Sequence, residues 1–503
     1  MIIHDDFTNL LEIGPQAYEA PDPATAVRRE LRAGADIISL CAALPEMCTY
    51  HPAEVGEVIG SNHEGHDRLD LAMRVLVGQG VDPFGVAVDV LRRGGCRVLG
   101  KLRVNDGHHA HSIPQLASRF WRQHPQWRIG SIEQDPQVEH SLIACPRVGT
   151  GTRDYIVKNR GKLLDYAVPE VRAHRLAVVR EFMGRYDLDG LTLNFLRGPY
   201  CVSFPSKNAP LLTEFVAACR QIVDRCTAGR GPAKGVLGAI LPWDIAFCHT
   251  MGLEVERWVT EGLLDYVSPS DGYVTDFNMP VDAWVAIASS TRCAVYPTIT
   301  GCTSYDHDVC LPQEYDPEQP ENPDSSRPTP ENLRALAHTF YAQGADGVAF
   351  FNVYSGIHHG LYPLTDHCLP DRLEGNERRY ICMKEPLVFA GQFLQIVLAP
   401  GSSQRQAVAC RLYEDLKRVD ACVRFKARGL AEIGKLEVDV NGRQIPAESL
   451  SLIQHTGEGF LYVRFAVNDG FLRQGANEIG FALPGPAGAD VIVQEVEIRV
   501  EPA

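Results

Sequence analysis

Residues 169–197 read PEVRAHRLAVVREFMGRYDLDGLTLNFLR, which predicts one helix followed by one strand. Pro169 suits the first helical position, because its fixed φ and missing N–H cost nothing there. The apolar residues that share one helix face are Leu176, Val179 and Met183. After Asp189-Gly190, apolar residues alternate with Thr192 and Asn194, so a strand would present these two polar side chains on one face. A helix that leads into a strand is the repeating unit of a parallel α/β sheet.

The same pattern recurs along the chain and predicts eight strands joined by helices. They lie at Asp36–Ala42, Arg97–Asn105, Leu163–Ala167, Gly190–Leu196, Gly235–Leu241, Leu264–Pro269, Ala294–Thr298 and Gly347–Tyr354. A second helix is expected to begin at Thr329-Pro330-Glu331, a cap followed by a first-turn proline. Eight such units are typical of a (β/α)₈ TIM barrel with insertions, which we assign to residues 1–395.

The pattern changes after Pro400, where short alternating runs replace the helical periodicity. The predicted strands are Ala421–Ala427, Leu436–Val440, Leu461–Val467 and Val491–Val500. Asn441-Gly442 is a strong two-residue hairpin signal. These features predict a small β-sandwich at residues 396–503. It is either a sugar-binding module or a packing domain that covers part of the barrel.

The composition and net charge of the chain limit which kinds of molecule it is expected to bind. The 503 residues are 45% hydrophobic and 22% charged, which is ordinary for a globular chain of two or more domains. A net charge of -15 repels phosphate backbones, so nucleic acid is not expected, and a neutral carbohydrate fits better. No apolar run is long enough to span a bilayer, so no membrane partner is expected. The acidic start Met1–Asp6 does not resemble a signal peptide, so we expect a cytoplasmic protein; nothing indicates an oligomeric state.

Cysteines and histidines give weak metal signals. The 15 cysteines have no repeating spacing, and several stand in apolar runs, which is typical of reduced, buried thiols. The nearest approach to a metal cluster comprises Cys302, His307, Asp308 and Cys310. It lacks a recognised zinc spacing. We therefore predict no metal site and no cofactor.

Strand parity selects the candidate site, because active sites of such barrels lie at the C-terminal ends of the strands. The polar residues aimed there are Lys101, Arg103, Asn105, Thr192, Asn194 and Arg197. A buried cation costs free energy unless it is paired with a carboxylate or binds a ligand. The pattern thus indicates either a ligand site or an internal layer of salt bridges.

Two carboxylates end strands. Asp106 follows the second predicted strand, and Asp271 follows the sixth, where each could act as an acid or base. Asp271 could alternatively cap the turn that follows. Flat rings for stacking on sugars are offered by Trp243, Tyr273 and Tyr354, and His108 and His109 could donate to sugar hydroxyls. His109-Ala110-His111 also matches the His-x-His of metal-dependent barrel hydrolases, although no matching lysine or paired histidines follow.

With these motifs, the chain from about residue 30 to 360 resembles the glycosyl-hydrolase-like family 10 barrels. The resemblance is carried by Val104-Asn105-Asp106-Gly107-His108-His109, His124–Gly130, Leu164–Arg172 and Tyr186–Arg197. It implies a TIM barrel that hydrolyses a poly- or oligosaccharide through carboxylates at the barrel mouth. The fourth strand of the family usually reads D-G-[IL]-E-[LF]-D-[FY]. Here Asp189 and Gly190 match, but Thr192 and Asn194 replace the two later acids.

Three hypotheses follow. The first is a glycoside hydrolase in which Asp106 and Asp271 are the catalytic base and acid and Asn194 holds a sugar hydroxyl or water. The second is a non-catalytic carbohydrate-binding barrel, in which Thr192 and Asn194 mark lost chemistry. The third is a metal-dependent barrel of the amidohydrolase type.

Overall fold

A computed structural model of the chain divides into two units. It describes residues 1–7, 22–61, 68–107, 117–130, 160–229, 235–271, 275–301, 328–351, 363–373, 375–383, 395–430, 433–455, 459–467, 470–485 and 489–502. The first unit comprises Met1–Gly272, Val281–Thr298 and Ala345–Ile357. The second comprises Tyr273–Pro280, Ile299–Gly344 and His358–Ala503. The domain boundary expected near residue 395 stays a prediction.

The first unit is built on a parallel sheet. The strands up to residue 351 are β1 Ile2–Asp5, β2 Ile37–Leu44, β3 Met47–Cys48, β4 Glu57–Val58, β5 Arg97–Arg103, β6 Gly190–Asn194, β7 Val236–Pro242, β8 Tyr266–Ser270, β9 Ala294–Val295, β10 Thr298–Thr300 and β11 Ala349–Phe351. Within the unit the parallel order is β11-β1-β2-β5-β6-β7-β8-β9. This sheet curves as a parallel half-barrel of the TIM-like α/β class.

Helices alternate with these strands, as the sequence predicts. They are α1 Pro23–Arg32, α2 Arg68–Gly78, α3 Pro83–Arg93, α4 Arg119–Gln123, α5 Pro169–Arg185, α6 Pro205–Thr227, α7 Ile245–Thr250, α8 Val255–Thr260, α9 Val281–Ala288, α10 Pro330–Ala342 and α11 Thr365–Cys368. The predicted starts of α5 and α10 are confirmed, and Thr329 caps α10 in a reciprocal box with Asn332. Within the described ranges no single helix is long and apolar enough to cross a membrane. Only as a pair, with a bend of 86° between them, do α2 and α3 reach the length and apolar composition of such a span.

One predicted strand is wrong. At Leu163–Ala167 the backbone makes only an isolated antiparallel bridge between Leu164 and Arg128. The carboxylate of Asp165 accepts the amides of Ala167 and Ser203, at 2.8 and 3.0 Å, and so turns the chain. In the sheet β5 pairs directly with β6, so no strand stands between them. The sequence analysis instead missed β1, which lies between β11 and β2. The other seven predicted strands overlap strands of the structure.

The interior of the sheet changes from apolar to polar along the strands. Ile2, Leu99, Tyr266 and Ala349 form a buried cluster near the N-terminal ends of their strands. The C-terminal ends carry the buried polar side chains described below. A packed apolar base under a polar rim is the arrangement that positions a site at the C-terminal face.

The second unit contains two antiparallel sheets. Its later strands are β12 Arg378–Ile381, β13 Gln395–Leu398, β14 Ser402–Leu412, β15 Val419–Arg428, β16 Glu437–Val440, β17 Arg443–Gln444, β18 Leu450–His455, β19 Leu461–Val467, β20 Gly475–Leu483 and β21 Val491–Pro502. One sheet has the order β12-β21-β15-β19-β18, with β13 also on β21, and the other β14-β20-β16-β17. The hairpin at Asn441-Gly442 is confirmed: both residues have positive φ, and Val440 pairs with Arg443.

Candidate functional site

Asp6 is the centre of a buried ionic cluster at the C-terminal ends of the strands. It follows β1 directly and is 1% exposed. Its carboxylate lies 3.0 Å from Lys101 Nζ, 2.9 Å from Arg103 Nη2 and 2.7 Å from Arg197 Nη2. Arg103 Nη1 also contacts Asp106 Oδ2 at 2.5 Å. Sequence reasoning found the cations and Asp106 but missed the carboxylate that joins them.

The carboxylates of the cluster favour the charged form of Arg103 despite its burial. Burial lowers the pKa of Arg103, but Asp6 and Asp106 outweigh it and hold that pKa above its usual value. The ring of Phe351 lies 5.1 Å from Lys101 Nζ and 4.8 Å from the Arg197 guanidinium carbon, which adds cation–π attraction. Buried charges persist only when they are paired in this way. The cluster therefore fits the predicted salt-bridge layer, and it also fixes Asp106.

His4 is a second polar residue of the interior that the sequence analysis missed. Its Nε2 lies 3.0 Å from Ser268 Oγ, and its ring stacks at 6.2 Å from Tyr266. Burial, and then the charge of Lys101, lowers the pKa of His4 well below its ordinary value. The imidazole is therefore neutral at neutral pH. The strand that carries His4 has only four residues, so the local sequence gives no reliable signal for either His4 or Asp6.

Thr192 belongs to a hydrogen-bonded chain across the sheet. It is opposite Lys101 in the pairing of β5 with β6. Ser39 Oγ donates to Thr192 Oγ1 at 2.6 Å, and the Tyr266 hydroxyl lies 2.7 Å from the same oxygen. The predicted substrate-binding residue Thr192 thus has two internal partners.

Tyr266 reaches Thr192 by crossing β7 at Gly238. A Cβ added at Gly238 would lie 2.0 Å from the tyrosine ring. We expect Gly238→Ala to lower the free energy of unfolding by about 1–3 kcal/mol, because overpacking displaces the ring. Urea denaturation measures this. Gly184→Ala is the control: its Cβ would meet nothing within 4 Å in α5, so stability should hold or rise by about 0.5–1 kcal/mol. Equal stability of the two variants would contradict the prediction.

Asn194 and two other residues carry buried hydrogen-bond donors that have no acceptor. Asn194 Oδ1 accepts the Leu196 amide at 2.9 Å. Within the described part of the chain, Asn194 Nδ2, Ser270 Oγ and Arg103 Nε are buried and have no hydrogen-bond partner. Asn194 is opposite Arg103 in the β5–β6 pairing, and Ser270 ends β8. An unsatisfied buried donor costs about 1–3 kcal/mol, so these groups favour a ligand that offers acceptor oxygens.

Three further predicted residues are buried at strand ends. Asp271 is 5% exposed and follows β8. Asn105 Nδ2 donates to the Leu164 carbonyl at 2.8 Å, which ties the end of β5 to the chain before α5. Trp243 is fully buried, and its carbonyl accepts Trp284 Nε1 at 2.7 Å. Trp243 therefore packs in the interior in this structure, and a stacking role for it stays a prediction.

The remaining predicted site residues, His108, His109, Tyr273 and Tyr354, lie outside the described residues. So do Cys302, His307, Asp308, Cys310 and the His109-Ala110-His111 motif. Among the residues that the structure does describe, no group of three or more His, Cys, Asp or Glu side chains could hold a metal ion.

Comparisons with known proteins give only distant likenesses. No family model matches the chain, and no curated protein matches it. Similar solved structures include the alpha-L-fucosidase isoenzyme 2 of Paenibacillus thiaminolyticus, at 15% identity and a TM-score of 0.41, covering 70% of this chain and 45% of that one. A GH36 alpha-galactosidase of Geobacillus stearothermophilus has 10% identity and a TM-score of 0.38, covering 100% and 55%. An alpha-amylase of Geobacillus thermoleovorans has 11% identity and a TM-score of 0.37, covering 95% and 98%. The chain thus spans about half the length of the first two.

Proposed function

We propose that the parallel sheet closes into an eight-stranded (β/α)₈ barrel. Two backbone hydrogen bonds support closure: Tyr296 N donates to Val267 O and Ala349 N to Pro297 O, both at 2.9 Å. The segment after β9 thereby contacts the strands on either side of the gap. We also propose that the C-terminal sheets pack as a β-sandwich, supported by the contact of Phe425 with Phe481 at 5.1 Å between ring centres.

For the activity, we propose a glycoside hydrolase that acts on a poly- or oligosaccharide. The main support is a pair of buried hydrogen-bond donors without a partner, Asn194 Nδ2 and Ser270 Oγ. They lie at strand ends, as do Asp106 and Asp271. Glycoside hydrolysis usually uses two carboxylates that flank the bond. Sugar hydroxyls supply the acceptor oxygens that buried donors require.

One contact supports different roles for the two carboxylates. Arg103 holds Asp106 at 2.5 Å, and an ion pair of this kind favours the ionised form. Asp106 is therefore the base or nucleophile, and Asp271 is the acid. Asp6 acts through Arg103, which it positions at 2.9 Å. Asn194 does not titrate near neutral pH and would hold a sugar hydroxyl or water.

The alternative is a non-catalytic carbohydrate-binding barrel. This alternative is supported by Thr192, whose hydroxyl is hydrogen-bonded to Ser39 and Tyr266. A threonine at this position cannot serve as an acid or base. The metal-dependent hypothesis depends on histidines outside the described residues, and elemental analysis of the purified protein tests it.

A glycan screen that measures both binding and release of reducing ends tests the proposal. We expect slow hydrolysis by the natural chain and a rise of at least about tenfold in Asn194→Asp, or about 1.4 kcal/mol of transition-state stabilisation. The added carboxylate would stand opposite Arg103, whose Nε lacks an acceptor. It would restore an acid that the family pattern has at this position.

Gln126→Glu is the control for added charge, because it places the same charge on an exposed side chain. It should leave the rate unchanged. Binding without turnover in both the natural chain and Asn194→Asp would favour the non-catalytic alternative. An active natural chain that loses activity in Asn194→Asp would contradict the role given to Asn194.

A further inference from the structure

Two cysteines stand opposite each other on neighbouring strand segments of the second unit. Met383 and Ala409 exchange both backbone hydrogen bonds, Met383 N to Ala409 O at 2.7 Å and Ala409 N to Met383 O at 2.6 Å. In an antiparallel pairing the next residues in register are Cys382 and Cys410. Because Met383 and Ala409 form the hydrogen-bonded pair, the cysteines form the non-hydrogen-bonded pair, in which side chains lie closest.

Other contacts agree with this register. Cys382 N donates to Val496 O at 2.8 Å, on the side away from Ala409, as the alternation of a strand requires. Both cysteines are fully buried, and neither is in a disulfide. Burial, and then a hydrogen bond with Cys410, raises the pKa of the Cys382 thiol. The pairing of Met383 with Ala409 therefore places the two thiols next to each other.

The geometry suits a covalent bond. Residues of a non-hydrogen-bonded antiparallel pair have Cα atoms about 4.5 Å apart. Disulfides span Cα separations of roughly 4.4–6.8 Å, so these strands need little movement to form one. Cys382 follows β12, which pairs with β21, and Cys410 lies in β14, which pairs with β20. A bond between them would link the six-stranded sheet to the four-stranded sheet.

We infer that Cys382 and Cys410 are an oxidation site, a cross-strand dithiol that a small peroxide converts to a disulfide. One thiol loses its proton and attacks the peroxide as a thiolate; the O–O bond breaks, the sulfur becomes a sulfenic acid, and the leaving hydroxide takes up that proton as the first water. The second thiol likewise loses its proton and attacks the sulfenic sulfur; the S–S bond forms as the S–O bond breaks, and the leaving hydroxide takes up the proton as the second water. Two thiols are oxidised and one hydrogen peroxide is reduced to two waters. Burial keeps the thiolate fraction low, so the reaction is slow and excludes bulky oxidants.

Peptide mapping of the reduced full chain after hydrogen peroxide tests this. Remaining thiols are alkylated with N-ethylmaleimide before digestion, so that no bond forms during unfolding. We expect a peptide pair joined through Cys382 and Cys410, about 2 Da lighter than the two free thiols and separated again by dithiothreitol. The Tm of the oxidised protein should rise by at least ~5 °C, because the bond restrains the unfolded chain.

Cys382→Ala and Cys410→Ala should each abolish the linked peptide and the rise in Tm. Cys219→Ala is the control, since Cys219 is equally buried but lies in α6 of the first unit. It should change neither result. Full alkylation of Cys382 and Cys410 after peroxide, or a linked peptide that survives Cys410→Ala, would overturn the inference. If an alanine variant fails to fold, the peptide map of the natural chain still tests the inference.

Discussion

Asp6→Asn is expected to lower the free energy of unfolding by about 3–5 kcal/mol, because removing one partner of a buried ion pair leaves the other charged and unbalanced. Asp6 contacts Lys101, Arg103 and Arg197 within 3.0 Å, and all four side chains are at least nine-tenths buried. The amide keeps the shape of the carboxylate but not its charge. Lys101 is fully buried, so water cannot replace the lost charge. Chemical denaturation monitored by circular dichroism measures the loss.

Asp36→Asn is the matched control for this variant. Asp36 also forms an ion pair, with the N-terminal ammonium at 2.7 Å, but its side chain is 77% exposed. Exposed ion pairs contribute about 0–1 kcal/mol, so this variant should be nearly as stable as the natural chain. The double variant Asp6→Asn with Lys101→Met should recover part of the loss, because it removes one of the stranded cations. Equal stability of Asp6→Asn and Asp36→Asn would refute the central role of Asp6.

Much of the parallel sheet could be predicted, because local pattern and tertiary structure agree there. In β6, for example, the alternation around Thr192 and Asn194 gave both the strand and the inward face, and the register opposite Lys101 and Arg103 fits it. Segment 163–167 has a similar apolar pattern but fails, because the Asp165 side chain takes backbone amides that a strand would need. Pattern alone cannot show that competition.

The strand β1 could not be found from local pattern. It has four residues, too few for a reliable period, and it exists because β2 and the distant β11 flank it. Asp6 follows from the same long-range pairing: its partner Lys101 is 95 residues away in the chain. The sequence shows that buried cations need a partner, but only the register of the sheet identifies it. The full burial of Trp243 is likewise a consequence of packing.

The largest effect on activity is expected from Asp271→Asn. If Asp271 is the acid of the proposed hydrolase, its loss should lower kcat on the best glycan of the screen by about a thousandfold, or roughly 4 kcal/mol of transition-state stabilisation. Asp106→Asn should have an effect of similar size, because the amide cannot act as base or nucleophile. Both are best made in the Asn194→Asp background, where the expected parent rate lies well above background hydrolysis.

The pH profile separates the two roles. Removing the general acid should abolish the basic limb of the kcat/KM profile, and removing the base should abolish the acidic limb. Asp244→Asn is the matched control, because Asp244 follows the adjacent β7 by two residues and is 4% exposed. Its carboxylate caps α7 by accepting the Phe247 amide at 2.7 Å. The variant should leave both stability and kcat nearly unchanged, because asparagine caps a helix about as well as aspartate. If Asp271→Asn instead matches Asp244→Asn in both rate and pH profile, Asp271 is a turn residue and the acid lies elsewhere.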